Sequence, residues 1–261
     1  MIKLNRDDNP PRVIFKIGVV KNIEKWVVST ETTIGDYESD SRPFENGKYK
    51  FNKAFGVDEF RERLIILQDG KCGYCEKKID KGDIEHYRPK AAVITEEVNG
   101  NYIQPGYYWL AYSWWNMLLA CSDCNSQEFK GNKFPLVGGE INRCKDHNEN
   151  INLESPVLID PINEVAEKLI EYNNETAIPI KRNVRAQRTI DILGLNTRTS
   201  LVEDRREKLA SYRMNKIVAN LPRGIITSAE RAEANNFLTN ATSRRSKFSN
   251  MINSNIKAAR I

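Results

Sequence analysis

No stretch of this chain is apolar for long enough to cross a bilayer. Runs such as Met117–Cys121 fall far short of the roughly 20 residues a spanning helix needs. The opening residues, Met1-Ile2-Lys3-Leu4-Asn5-Arg6-Asp7, lack the apolar core of a signal peptide. The reading is therefore a cytoplasmic protein, where thiols stay reduced. Histidine is scarce: two occur in 261 residues, so imidazole chemistry falls to His86 or His147. No acidic residue follows Glu233, whereas Arg244, Arg245, Lys247, Lys257 and Arg260 do. Internal repeats and low-complexity tracts are also missing, which argues against a repeat array.

What is present is a soluble, globular balance, with 40% hydrophobic and 29% charged residues. The length suits one large domain or two small ones. Net charge is only +5 but uneven: from Lys181 to Arg223 there are 11 Lys and Arg against 4 Asp and Glu. A basic C-terminal half suits a polyanionic partner, or forms a solvated helical surface.

Along the chain, β-branched clusters at Val13-Ile14, Val19-Val20 and Val27-Val28 predict short strands over residues 12–30, and residues 31–53 read as loop. Phe60, Leu64 and Leu67 at helical spacing predict a helix over 58–68, stopped by Asp69-Gly70. Residues 84–87 read as a short strand, Asn99-Gly100 as a turn, and the residues after Cys121 as a short helix. Residues 137–156 look like loop, and 157–160 like a strand or extended segment. Beyond about residue 162 the chain reads as helical, with a stop at Gly194 and capping-box spacing at Ser200–Glu203 and Thr227–Glu230. Ala210, Met214, Ile217 and Leu221 fall on one helical stripe, which reads as core. Three segments follow: 1–57, strand and loop; 58–150, carrying the motifs; and 151–261, helical and basic, for a partner or nucleic acid.

Two Cys-x2-Cys pairs, Cys72/Cys75 and Cys121/Cys124, supply the four thiolates of a closed structural zinc site. The 45 residues between them exceed what a simple zinc ribbon uses, so the ion would close a large loop with content inside it. Ordinary buried cysteines, or a redox pair at Cys72-Gly-Tyr-Cys75, are the alternatives. Cys144 and His147 sit in a polar loop with no matching pair and read as bystanders.

Inside that loop stands Ile84-Glu85-His86-Tyr87-Arg88-Pro89. A histidine can take a proton from water, and a neighbouring carboxylate can hold a hard cation. Together they are the equipment of a metal-dependent nuclease. Adjacent strand residues point to opposite faces, so Glu85 and His86 converge only at a strand end, and Arg88-Pro89 predicts that end.

These residues resemble the HNH endonucleases. The likeness lies in Cys72-x2-Cys75, Glu85-His86-Tyr87-Arg88-Pro89-Lys90, Tyr108–Asn116, Cys121-x2-Cys124-Asn125 and Lys130-Gly131-Asn132-Lys133-Phe134-Pro135-Leu136. Within that family the chain looks like the PtuB-like HNH nucleases of Septu and retron anti-phage systems. Leu158–Pro161 and Thr189–Asn196 fit the same subgroup. The likeness covers roughly residues 58–210, and the first 55 residues carry none of these motifs.

The resemblance implies an α+β protein whose ββα-metal (HNH, His-Me finger) core, with a four-cysteine zinc site, is embedded in a mostly helical chain. It implies His86 as general base, Glu85 and Asn125 as ligands of a catalytic Mg²⁺ or Mn²⁺, and Asn116 as the residue that orients the histidine. Asn125 makes this an H-N-N version. The resemblance also implies an SMC/ABC-type, PtuA-like ATPase partner and a nucleic-acid substrate, DNA before RNA. Arg88, Lys90, Lys130 and Lys133 are candidate phosphate contacts. The aromatic run Tyr107, Tyr108, Trp109, Tyr112, Trp114 and Trp115 reads as core packing ahead of a base-stacking surface. The alternatives are a zinc-stabilised nucleic-acid-binding or adaptor module without catalysis, and an RNA-directed nuclease with the same site.

Overall fold

The computed structural model describes residues 1–7, 14–17, 20–56, 58–95 and 102–261. The turn expected at Asn99-Gly100, and Val13 and Val19 of the expected strands, lie outside the described residues. Strands β1 (Ile14–Ile17) and β2 (Val20–Glu24) pair antiparallel. Helix α1 (Lys25–Ser39) follows directly, with the short α2 (Arg42–Glu45) after it. Val27-Val28 are therefore helical, and residues 31–39 are not loop. The pattern hid this helix because its inner face is partly polar. Ser29 and Thr33 are buried, and Ile34 and Tyr37 pack on the core beside them. Tyr37 stacks on Tyr108 with ring centroids 4.2 Å apart. Tertiary packing of this kind overrides the strand preference of β-branched residues.

Helix α3 (Asp58–Leu67) buries Phe60 and Leu64 and ends where Asp69 and Gly70 adopt positive φ, as the Asp-Gly stop predicts. Four strands come next: β3 (Asp83–His86), β4 (Val93–Ile94), β5 (Tyr102–Ile103) and β6 (Met117–Ala120). β3 pairs antiparallel with β6, in register Asp83 to Ala120 through His86 to Met117, and β4 pairs with β5. β6 is buried along its whole length and runs straight into α4 (Ser122–Asn125), a single turn.

The C-terminal part is not all helical. Residues beyond 162 first form a hairpin, β7 (Ile170–Asn173) with β8 (Thr176–Pro179). Asn174 makes the turn with φ of 53°, a conformation that Asn tolerates better than most residues. The alternation of buried Ile170 and Tyr172 with less buried neighbours is too short to stand out beside a helical pattern. Helices α5 (Val184–Ile192), α6 (Thr199–Ala219), α7 (Ser228–Thr242) and α8 (Ser249–Lys257) complete the chain. Thr227 and Glu230 form the expected capping box on α7. α6 instead starts at Thr199 with Arg198 at its cap position, so Ser200 does not cap it.

The expected stripe on α6 is reversed. Leu201, Arg205, Leu209 and Tyr212 are buried, whereas Met214 and Ile217 are each about 60% exposed. The buried residues of α6 end at Tyr212, and α6 also packs on α7. One core takes in Met1 and Leu4, the cysteine knuckles, Tyr107, Tyr108 and Trp109, and Met251 and Ile252 of α8, while Trp114 and Tyr112 belong to two smaller clusters. Among the described residues, no helix is long and apolar enough to cross a membrane.

Candidate metal centre and catalytic cavity

The first cysteine pair lies on the tight turn after α3, where the amide of Glu76 donates to the Cys72 carbonyl and that of Cys72 to the Lys77 carbonyl. Gly73 sits against β6: a β-carbon there would come within 2.8 Å of Leu118 and 3.0 Å of Leu4. The second pair brackets the start of α4, with Cys121 as its cap residue. Gln68 joins the two halves. Its buried amide donates to the carbonyls of Lys71 and Leu119 and accepts from the Leu119 amide at 2.8 Å. All four sulfurs then lie within 4.8 Å of one another, and all four cysteines are buried. Cys75 and Cys121 sulfurs are 3.8 Å apart. A tetrahedral zinc with Zn–S of about 2.3 Å requires S···S of roughly 3.8 Å, so the donor set fits that ion. Hydrogen bonding from Cys124, Cys72 and Cys75 pulls the Cys121 thiol far below the ordinary thiol range, so a thiolate is favoured there.

The strand pair presents the second centre. His86 is the last residue of β3, and beyond it the chain turns, so Glu85 and His86 line one cavity of about 240 Å³. Asn125, at the end of α4, lines the same cavity, as do Lys90 and Gln127. Nε2 of His86 lies 2.8 Å from the Ala111 carbonyl oxygen. A carbonyl can only accept, so Nε2 carries the proton of the neutral ring and Nδ1 carries the lone pair. Burial, reinforced by the charge of Lys90, pushes the His86 pKa down to about 3, which leaves the ring neutral around pH 7.

Asn116 is not in the cavity but behind it. Its Oδ1 accepts from the Arg88 amide at 2.8 Å, and its Nδ2 donates to the carbonyls of Arg88 (3.0 Å) and Leu110 (3.1 Å). It thereby ties the turn after His86 to the segment carrying Ala111, whose carbonyl holds the imidazole. Asn125 donates to Asp83 at 3.3 Å.

The basic candidates fare differently from one another. Lys130 is fully buried and touches no surface. Its ammonium lies 2.5 Å from Oε1 of Glu85 and donates to the carbonyls of His86 (2.9 Å) and Gly131 (3.1 Å). With two carbonyl acceptors and a carboxylate beside it inside the fold, Lys130 has an internal role in place of the expected phosphate contact. Burial raises the Glu85 pKa and lowers that of Lys130, each opposed by the charge of the other. Arg88 pairs with the buried Glu154, which also accepts from Tyr107 and from the Cys144 amide, so Arg88 is likewise turned inward. Lys133 donates to the Glu128 carbonyl. Of the four, Lys90 lines the cavity.

Further along, Arg185, Arg198, Arg205 and Arg206 are committed to partners within the chain, which reduces the basic surface the composition suggests. Tyr107, Tyr108, Trp109, Tyr112 and Trp114 are buried, in line with core packing, and Trp115 is 43% exposed. Cys144 is buried, and His147 lies between Tyr108 and Glu38, away from any metal-type cluster among the described residues.

Comparison with curated proteins finds the Septu protein PtuB of Bacillus mycoides (strain KBAB4), 30% identical over 222 residues. The match spans 83% of this chain and 70% of that protein. The chain belongs to the PtuB family. No protein-family model and no solved structure matches it. The stretch shared with PtuB is far longer than the cysteine knuckles alone.

Residue reasoning missed the Ala111 carbonyl, Gln68 and Arg198. A backbone carbonyl leaves no mark in a sequence. Gln68 has the look of an ordinary helix-end residue, and Arg198 that of one more charge in a basic segment.

Proposed function

We propose that this PtuB-family chain is a metal-dependent endonuclease of the HNH type, hydrolysing phosphodiester bonds of DNA as an effector of anti-phage defence beside a PtuA-like ATPase. The observation that carries the reading is the His86 ring, held through Nε2 by Ala111 in a cavity shared with Glu85 and Asn125. Nδ1 is the atom that takes a proton from water. Burial and the charge of Lys90 keep its basicity low. A phosphate entering beside Lys90 opposes its charge and raises that basicity.

Glu85 and Asn125 supply one carboxylate and one amide oxygen. This set is open, as suits Mg²⁺ or Mn²⁺, which keep waters and take substrate phosphate oxygens as further ligands. The ion, when bound, supplies charge stabilisation at the phosphoryl and leaving oxygens. Asn116 keeps the base in place by clamping both segments that define its position. The four cysteines hold the structural Zn²⁺ that brings β6 and α4 against β3.

The test is incubation of the chain, alone and with its ATPase partner, with plasmid DNA and with RNA, in the presence and absence of Mg²⁺ or Mn²⁺. Metal-dependent cleavage of DNA is the expected result. Cleavage of RNA alone would assign the same site to RNA, since the base and ion act on the phosphodiester. The Lys130–Glu85 pair favours a second reading, in which Glu85 is already neutralised and the chain is a zinc-stabilised binding or adaptor module. Binding without cleavage under every condition would support it.

A further inference from the structure

The four-cysteine cluster has a charged neighbour from a distant part of the chain. Nη1 of Arg198 donates to Sγ of Cys124 at 3.3 Å, across 74 positions of sequence. Among the described residues it is the one cationic side chain hydrogen-bonded to a cysteine sulfur. Its guanidinium lies over the Phe129 ring at 5.0 Å, and its Nε donates to the Gly194 carbonyl. Nη2 is buried with no hydrogen-bond partner. A guanidinium that gives up part of its hydrogen bonding in the interior needs a nearby negative charge to stay there. Four thiolates around a divalent zinc carry a net charge of −2, which supplies it.

Arg198 is also the cap residue of α6. Six residues on, Asp204 pairs with Lys77 at 2.9 Å, two residues past Cys75. The turn before α6 fits closely over the second knuckle. Gly194 has φ of 56°, and a β-carbon there would lie 2.2 Å from Phe129. The start of α6 therefore spans both knuckles, touching one through a sulfur and the other through a carboxylate.

We propose that Arg198 clamps the four-cysteine site from outside its ring of sulfurs, so that metal retention and docking of the first turns of α6 depend on each other. With the ion bound, the thiolates hold the guanidinium and α6 stays closed over the site. With the ion gone, the sulfurs are no longer drawn into one set against the guanidinium, Arg198 loses that contact, and the first turns of α6 open. Neither statement depends on nuclease activity.

The experiment compares wild type with Arg198→Met, Arg198→Lys and, as a control that loosens α6 without touching sulfur, Lys77→Ala. Zinc release from the loaded proteins to a chromogenic chelator is timed, and hydrogen exchange of residues 199–209 is followed before and after chelation. Changes to residues that support metal ligands typically cost about 10–100-fold in metal affinity, so release from Arg198→Met should be at least ~10-fold faster. Arg198→Lys should fall between that variant and wild type, and Lys77→Ala, which weakens docking of α6 but keeps the sulfur contact, should speed release by clearly less than Arg198→Met. In the wild type, chelation should speed exchange in residues 199–209. Release from Arg198→Met at the wild-type rate, or equal acceleration by Lys77→Ala, overturns the proposal. If Arg198→Met does not fold, the wild-type exchange measurement decides alone. Unchanged protection of residues 199–209 after zinc removal would then sink the idea.

Discussion

The ammonium of Lys130 lies 2.5 Å from Oε1 of Glu85, and both side chains are buried. A surface lysine that meets phosphate and a buried lysine that steadies a carboxylate make opposite predictions. Lys130→Met leaves Glu85 as an uncompensated charge, and breaking a buried pair in this way costs about 3–5 kcal/mol. Urea unfolding should show that loss. The slope of nucleic-acid affinity against salt should stay at the wild-type value. A phosphate contact would instead lower the slope by close to one ion.

His86→Ala removes the proposed base and leaves the cysteines untouched. Cleavage should fall by roughly 10²–10⁴-fold, with zinc content per chain unchanged by metal analysis. A variant that cuts at the wild-type rate would exclude His86 as the base.

A zinc ion in the four-cysteine set would hold β6 and α4 against the knuckle after α3. Cys72→Ser, or prolonged chelation of the wild type, should abolish the cooperative unfolding transition of this region. Binding free energies of structural zinc sites are on the order of 10 kcal/mol, comparable to the whole stability of a domain. A chelated protein with an unchanged melting profile would show that the cluster carries no structural metal.

Glu76 is buried between the Met1 ammonium at 2.8 Å and Lys71 at 3.9 Å, and it accepts from Ser249 of α8. Burial alone would raise its pKa. The Met1 ammonium and Lys71 outweigh burial and hold it below the ordinary 4.5. Because the folded value is depressed, its stabilisation is present above pH 4.5 and is lost as pH falls through the folded value. Stability measured by urea midpoint should therefore drop more steeply below pH 4.5 in the wild type than in Glu76→Gln. Parallel curves would remove Glu76 from the acid response.

Gly194→Ala places a methyl group into Phe129 at a residue whose φ is 56°. Strain at positive φ and the clash add, so a loss above about 1 kcal/mol is expected. Thermal unfolding checks it. The variant Phe129→Ala with Gly194→Ala, which clears the clash, should recover part of the loss relative to the sum of the single changes.

Much of the candidate site is legible from the chain alone. The spacing of Cys72, Cys75, Cys121 and Cys124 determines a four-thiolate set, because a knuckle with two intervening residues can aim both sulfurs at one ion. Arg88-Pro89 determines where β3 must end, and so lets Glu85 and His86 face one cavity. Asp69-Gly70, Gly194 and Thr227–Glu230 mark helix ends through local backbone chemistry, which needs no distant partner. The strength of these readings is that each rests on residues close together in sequence.

Tertiary structure alone decided the rest. The tautomer of His86 depends on a carbonyl 25 residues away, and the role of Lys130 on a carboxylate 45 residues before it. α1 forms because Ser29, Thr33 and Tyr37 meet a partner surface, against the preference of its β-branched residues. Met214 and Ile217 stay exposed because α6 runs past the body, which no periodicity can reveal. A helical or strand pattern records which residues share a face. Whether that face, or a single charged side chain, meets solvent, sulfur or a carboxylate depends on what the remainder of the chain folds against it.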